Sequence, residues 1–171
     1  MSKYEIEQKY RIKNPAEIRR KLQFLKAKRI SCGIEHDRLY DWNGLLQSRK
    51  SILRLRRDSR GKGLLTFKGP RLKAKYKKRI EVQTPVDYSG MLKILATLGF
   101  RVVVSYKKRR EEYKLGSSHI TLDFLQGIGW FVEIESSPKE IQRIALRLGF
   151  SDTDREEKSY VQLYFDPIKI S

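Results

Sequence analysis

The sequence predicts an α+β fold: a closed eight-stranded antiparallel β-barrel, or tunnel, with a charged interior and helices covering its outside. Three observations lead there. Period-two alternation dominates the chain, in runs at roughly 3–13, 33–42, 51–58, 63–69, 76–84, 100–114, 117–126 and 129–136. Helical segments with a single apolar stripe interrupt the runs. One parity of nearly every run carries charge of both signs, and the other parity is apolar.

In a strand, residues two apart share a face. The first run sets Glu5, Glu7, Lys9 and Arg11 against Tyr4, Ile6, Tyr10 and Ile12. Asn14 then caps a helix with Pro15 in its first turn and Ile18, Leu22 and Leu25 on one face. After the second run, the third sets Arg54 and Arg56 against Leu53 and Leu55, and the fourth sets Thr66 and Lys68 against Leu65 and Phe67. Between these two, Gly61-Lys62-Gly63 reads as a hairpin turn. It lacks the Gly-Lys-Ser/Thr and the strand–loop–helix context of a phosphate loop. Arg71, Lys73, Lys75, Lys77 and Lys78 form a basic stretch that fits either a solvated loop or a lid closing over a polyphosphate.

The fifth run opposes Arg79 and Glu81 to Ile80 and Val82. A helix over about 88–98 carries Met91, Leu92, Leu95 and Leu98 and ends at Gly99. In the sixth run Ser105, Lys107 and Arg109 oppose Val102, Val104 and Tyr106, which favours Lys107 and Arg109 on the charged face over the alternative register that puts Lys108 and Arg110 there. The seventh opposes Thr121 and Asp123 to Ile120, Leu122 and Phe124; the eighth opposes Glu133 and Glu135 to Trp130, Val132 and Ile134. Val103 and Phe131 break the alternation. Ser137-Pro138 opens a helix with Ile141, Ile144, Ala145 and Leu148 on one side and Gly149 after it, and a short helix follows near 156–164.

Helices with one apolar stripe must cover something apolar, so the apolar strand face is the packed outer side and the charged face points inward. Unpaired charge in a dry interior costs several kcal/mol per ion. The interior is therefore wet, internally paired, or filled by a charged ligand. Alternation alone fits equally a half-buried sheet with its charged face in water. The recurrence of charge on one face, and its mixed sign, favour the barrel. Arginine and lysine bind phosphate oxygens, and paired carboxylates hold Mg²⁺ or Mn²⁺ that bridge to phosphates. A triphosphate with its metal needs both sets together.

A length of 171 residues fits a single domain, 1–171. Nine tyrosines and seven phenylalanines exclude a disordered chain. Cys32 is the only cysteine, so no intramolecular disulfide forms; a reducing compartment and a buried, unreactive thiol are expected. Met1–Arg11 has no apolar signal core and no window approaches a membrane span, which predicts a cytoplasmic protein without membrane association. His36 and His119 are too few for a histidine metal centre or a catalytic triad; His119 shares the inward parity and is a candidate for the tunnel mouth. The net charge of +18 calls for an anionic partner. No nucleic-acid-binding motif is recognisable, although the surface charge leaves that role open.

An ordered series of motifs is more specific. It runs from Glu5-Ile6-Glu7-Gln8-Lys9 through Leu53-Arg54-Leu55-Arg56, Thr66-Phe67-Lys68-Gly69-Pro70, Arg79-Ile80-Glu81 and Lys107-Lys108-Arg109-Arg110 with Tyr113. It continues with Leu122-Asp123, Gly127-Ile128-Gly129-Trp130-Phe131-Val132-Glu133-Ile134-Glu135 and Ser159-Tyr160. Over essentially the whole chain this resembles the CYTH superfamily, the triphosphate tunnel metalloenzymes, and within it the class IV adenylyl cyclase-like branch.

The resemblance implies a metal-dependent enzyme with Mg²⁺ or Mn²⁺, acting on ATP, thiamine triphosphate or inorganic triphosphate. Adenylyl cyclase activity leads, triphosphatase activity is the alternative, and a non-enzymatic polyphosphate- or RNA-binding module is third. It implies Glu5, Glu7 and Lys9 as the catalytic set and Lys9, Arg54, Arg56, Lys68, Arg79, Lys107 and Arg109 around the phosphates. Glu5, Glu7, Asp123, Glu133 and Glu135 are implied at the metal, and a homodimer is one of the assemblies allowed. Members often carry aspartate and then tyrosine two residues later in the second strand; here Leu39 follows Asp37 at that spacing, with Tyr40 beside it, which leaves the role of Asp37 open.

Overall fold

A computed structural model describes residues 3–165 of the chain. Its strands are β1 (Lys3–Ile12), β2 (Lys28–Asp41), β3 (Ile52–Arg57), β4 (Gly63–Lys68), β5 (Lys77–Val86), β6 (Arg101–Leu115), β7 (Ser118–Leu125) and β8 (Gly129–Glu135). They hydrogen-bond in the closed order β1-β5-β4-β3-β2-β6-β7-β8, the predicted antiparallel barrel. The helices are α1 (Pro15–Phe24), α2 (Leu45–Ser48), α3 (Tyr88–Thr97), α4 (Pro138–Leu148) and α5 (Tyr160–Phe165). The chain divides into two compact units, residues 1–6 with 33–109 and residues 7–32 with 110–171; β1, β2 and β6 each contribute to both.

In the first unit, β3, β4 and β5 form consecutive ladders in which Arg54 faces Thr66, and Lys68 faces both Ile52 and Glu81. The opposite parity packs under α3 at Leu53, Leu55 and Leu65, whereas Phe67, Ile80 and Val82 are exposed. Tyr40 and Leu55 are buried with Tyr88 and Leu95 of α3, and Leu53, Leu65 and Phe100 pack around them. Leu55 is fully buried, worth roughly 1.5–3 kcal/mol. The Asp87 side chain accepts a hydrogen bond from the Gly90 amide to start α3.

In the second unit, Ile141, Ile144, Ala145 and Leu148 of α4 are buried, as are Ile120, Leu122, Val132 and Ile134 of the strands. The Ser137 hydroxyl accepts from the Glu140 amide at the start of α4, and Gly149 (φ 86°) ends it in the left-handed conformation. Asn14 caps α1 through the amides of Ala16 and Glu17. Lys21 Nζ donates to the Leu148 carbonyl at 2.8 Å, satisfying one of the free carbonyls at the end of α4. Tyr10 stacks on Phe150 at 4.5 Å.

Four details differ from expectation. β2 starts at Lys28, earlier than its alternation begins, because residues 28–32 are mostly exposed and carry no burial pattern. Asp41 accepts from the amides of Leu46 and Gln47 and so supports the unanticipated short α2. The last helix begins only at Tyr160. Cys32 is exposed rather than buried. Among the described residues, no helix is long and apolar enough to cross a membrane.

Candidate functional site

The charged parity of the strands is buried and built from matched acid–base groups. In the first unit Glu5 accepts from Lys68 Nζ at 2.7 and 2.9 Å and from Arg79 Nε at 3.3 Å. Lys68 also pairs with Glu81 at 2.6 Å. Burial opposes ionisation of Glu81, but Lys68 lowers its pKa overall.

A second cluster centres on Asp37, opposite Arg56 in the β2–β3 ladder. Arg56 grips Asp37 with two hydrogen bonds of 2.6 and 2.8 Å and reaches Glu35 at 3.0 Å. Arg54 lies 3.8 Å from Asp37. Burial disfavours the Asp37 carboxylate, yet the charges of Arg56 and Arg54 hold its pKa well below the usual carboxylate range. The Tyr106 hydroxyl of β6 contacts Asp37, and burial and that carboxylate raise the phenol pKa.

The second unit repeats the pattern with other residues. Arg110 Nε donates to Asp123 at 2.7 Å and Arg110 Nη2 to Glu133 at 2.8 Å. The Tyr160 hydroxyl donates to the fully buried Asp123 at 2.7 Å. Lys9 is 2% exposed, donates to the Lys158 carbonyl at 3.0 Å, lies 3.6 Å from Glu133 and sits 3.7 Å from the centre of the Tyr160 ring. Phe131, fully buried, meets Tyr160 edge-on. Glu7 stands directly opposite Glu135 across β1 and β8, as Lys9 stands opposite Glu133. Glu135 also faces His119, whose Nε2 is 3.8 Å from Glu112. The neighbouring His119 holds the Glu112 pKa at about 2 against the opposing effect of burial.

One register is corrected. Lys107 and Arg109 are exposed, whereas Lys108 is buried at 3.4 Å from Glu35 and Arg110 binds Asp123 and Glu133. Even positions of β6 therefore carry the inward charge. Val102 and Val103 are both exposed, so the apolar run gave no parity, and Tyr106 turns inward because its hydroxyl has a polar partner. Sequence reasoning also missed Glu35 and Glu112 and left Asp37 open. The signal for Glu35 and Asp37 was present in their two-residue spacing.

The basic stretch after β4 divides. Arg71, Lys73 and Lys75 are exposed, while Tyr76 and Lys77 are buried.

Among the described residues, no group of three or more His, Cys, Asp or Glu side chains is arranged to hold a metal ion by itself. The Glu7–Glu135 pair is the best fit. The register sets their carboxylates on directly opposed positions of adjacent strands. Two carboxylates suit Mg²⁺ or Mn²⁺, which take their remaining oxygens from phosphate and water.

Fold and site thus define an antiparallel β-barrel protein whose strands bury charge-matched side chains on one face. The CYTH domain model matches residues 3–165, and the chain belongs to the CYTH family. It is 29% identical to adenylate cyclase CyaB of Aeromonas hydrophila over 92% of this chain and 87% of that one. A protein structure from Pyrococcus horikoshii matches with a TM-score of 0.80 and 32% identity, covering 93% of this chain and 98% of that one. A Hippeastrum protein described as having a dominant triphosphatase activity shares the fold at a TM-score of 0.71 and 16% identity, covering 96% and 97% of the two chains.

Proposed function

We propose that the protein is a divalent-metal-dependent enzyme that binds a triphosphate on its buried charged face and converts ATP to cyclic AMP and pyrophosphate. The observation that supports this most directly is the matched network itself. Arg54, Arg56, Lys68, Arg79, Lys108, Arg110 and Lys9 are buried or half-buried. The carboxylates Glu5, Glu35, Asp37, Glu81, Asp123 and Glu133 hold them in place. Cations held this way are already positioned on one buried face, where phosphate oxygens would exchange with the carboxylates for them.

In this reading Lys68, Arg54 and Arg79 hold phosphate oxygens in the first unit, and Lys9 and Arg110 do so in the second. Glu7 and Glu135 would hold the metal in the second unit. The metal supplies charge neutralisation and a lowered pKa for the attacking hydroxyl. In the cyclase reaction the ribose 3′-oxygen bonds to the α-phosphorus, and the bond from that phosphorus to the pyrophosphate oxygen breaks. The hydroxyl proton leaves to a base. The protein acts in the cytoplasm.

The alternative reading is a triphosphatase, in which water attacks the terminal phosphorus. The activity described for the Hippeastrum protein favours keeping it, since that protein has the same fold. Incubation with ATP, thiamine triphosphate and inorganic triphosphate, each with Mg²⁺ or Mn²⁺, separates the two. Cyclic AMP with pyrophosphate is the expected product. Hydrolysis of inorganic triphosphate much faster than cyclisation of ATP replaces the cyclase with a triphosphatase.

A further inference from the structure

The charge of this chain is not used up by the buried face. The formal net charge is +18, yet the buried cations are matched by carboxylates in each unit. The excess is therefore carried by outward-facing side chains, and in the first unit part of it is organised.

The strands β3, β2 and β6 are neighbours in the barrel order. On their outward parity lie His36 and Arg38 of β2, Arg57 of β3, and Arg101, Ser105, Lys107 and Arg109 of β6. No outward position of 34–40, 52–57 or 101–109 holds aspartate or glutamate. His36 joins the three strands: it stands opposite Arg57, and its Nε2 is 2.8 Å from Ser105 Oγ. Arg57, Lys107 and Arg109 are exposed and Arg38 is half-buried. Burial lowers the His36 pKa, and the charges of Arg38, Lys107 and Arg57 lower it further against the opposing charge of Asp37. Ile34 is 56% exposed and Val103 59% exposed on the same face.

We propose that the outward face of β3, β2 and β6, built on Arg38, Arg57, Lys107 and Arg109, binds the phosphate backbone of single-stranded nucleic acid. Three features select this partner. Successive outward residues of a strand are about 6.6 Å apart, close to the repeat of phosphates along an extended single strand. Three of the four cations are arginine, whose planar fork matches phosphate. The exposed Ile34 and Val103 among the cations suit sugars and bases, which an inorganic polyanion lacks. This surface is independent of the buried face, and its failure would leave the enzymatic reading untouched.

The test is fluorescence anisotropy of the full chain with a labelled single-stranded RNA of mixed sequence, titrated at several salt concentrations. Four phosphate contacts give a log–log salt slope of about −3. The double variant Arg57→Gln/Lys107→Gln is expected to bind about tenfold more weakly at low salt, with the slope reduced to about −1.4. Where the double variant does not fold, Lys107→Gln alone serves, with a slope change of about 0.7. Excess inorganic triphosphate with Mg²⁺ at matched ionic strength is expected to leave the RNA bound. The proposal is overturned if the wild-type protein does not bind RNA at low salt, if the variants bind with the wild-type slope, or if triphosphate displaces the RNA. It is also overturned if the variants lose binding to phosphatidylserine vesicles while keeping RNA affinity, which would make the face a membrane-docking surface.

Discussion

The pairing of Asp37 with Arg56 shows how a single residue is constrained here. A carboxylate with no exposed surface is tolerated because Arg56 clamps it with two hydrogen bonds and Arg54 lies close by. Breaking a buried pair by removing one partner costs about 3–5 kcal/mol, because the other charge is left uncompensated. Asp37→Asn is therefore expected to lower unfolding free energy by about that amount at pH 7, measured by urea denaturation. The folded-state pKa of Asp37 is depressed, so its stabilisation is fully present above the unfolded value near 4 and is lost as pH falls through the folded value. The gap between wild type and Asp37→Asn should narrow progressively as pH falls below about 4; a gap constant from pH 3 to 7 would mean that folding does not depress the Asp37 pKa. The same logic sets the sign for Arg56→Ala. Asp37 and Glu35 lose their shared cation, so the unliganded protein loses stability. Glu7→Gln is a different case, because Glu7 faces another carboxylate. Its loss is expected to abolish metal-dependent turnover, and full turnover at saturating metal would remove Glu7 from the metal site.

At the scale of the strand, most of the architecture was legible because period-two alternation records which face is packed. The faces of β1, β3, β7 and β8 read correctly: each alternates charge with large apolar residues, and a one-residue slip would put every charge on the wrong side. In β4 and β5 the charged face read correctly, but Phe67, Ile80 and Val82 of the apolar face are exposed and not packed. β6 was illegible for the same reason. Lys107-Lys108-Arg109-Arg110 offers a cation on both parities, and Val102-Val103-Val104 does not alternate. Only the neighbouring strands decide, through Glu35 for Lys108 and Asp123 for Arg110. The partners of Asp37 were hidden because they depend on the β2–β3 register and on Tyr106, which no local pattern reveals. The register makes a prediction of its own. Lys108→Ala and Arg110→Ala are each expected to weaken triphosphate binding by about 1.5–3 kcal/mol in calorimetric titration, whereas Arg109→Ala on the outer face leaves the affinity within about 0.5 kcal/mol. The reverse ranking would restore the odd parity. On the packed side, Leu148→Ala in α4, at a residue 1% exposed, is expected to cost about 2–5 kcal/mol of stability and to leave ligand affinity unchanged.

For the whole molecule the decisive quantity is the distribution of charge. A net charge of +18 invites the view that the protein attracts a polyphosphate by excess positive charge alone. The buried face does not behave that way. Lys68 already serves Glu5 and Glu81, Arg56 serves Asp37 and Glu35, and Arg110 serves Asp123 and Glu133. A bare triphosphate would bring several negative charges to a face that is already compensated, and would have to compete with carboxylates for every cation. A divalent metal changes the balance. It neutralises part of the phosphate charge and gives Glu7 and Glu135 a shared counter-ion. Triphosphate and metal are therefore expected to bind cooperatively, each raising the affinity of the other by the same factor. Calorimetry at fixed ionic strength, with Mg²⁺ or with a chelator, measures that factor, and it is expected to be tenfold or more, about 1.4 kcal/mol of coupling. In the Glu7→Gln variant the factor should fall towards one while metal-free affinity stays the same or improves, because a repelling carboxylate is gone. Equal triphosphate affinity with and without metal in the wild-type protein would mean that the cations exchange carboxylate for phosphate at no net cost. The acidic set would then serve to hold the cations in place, with no metal to bind.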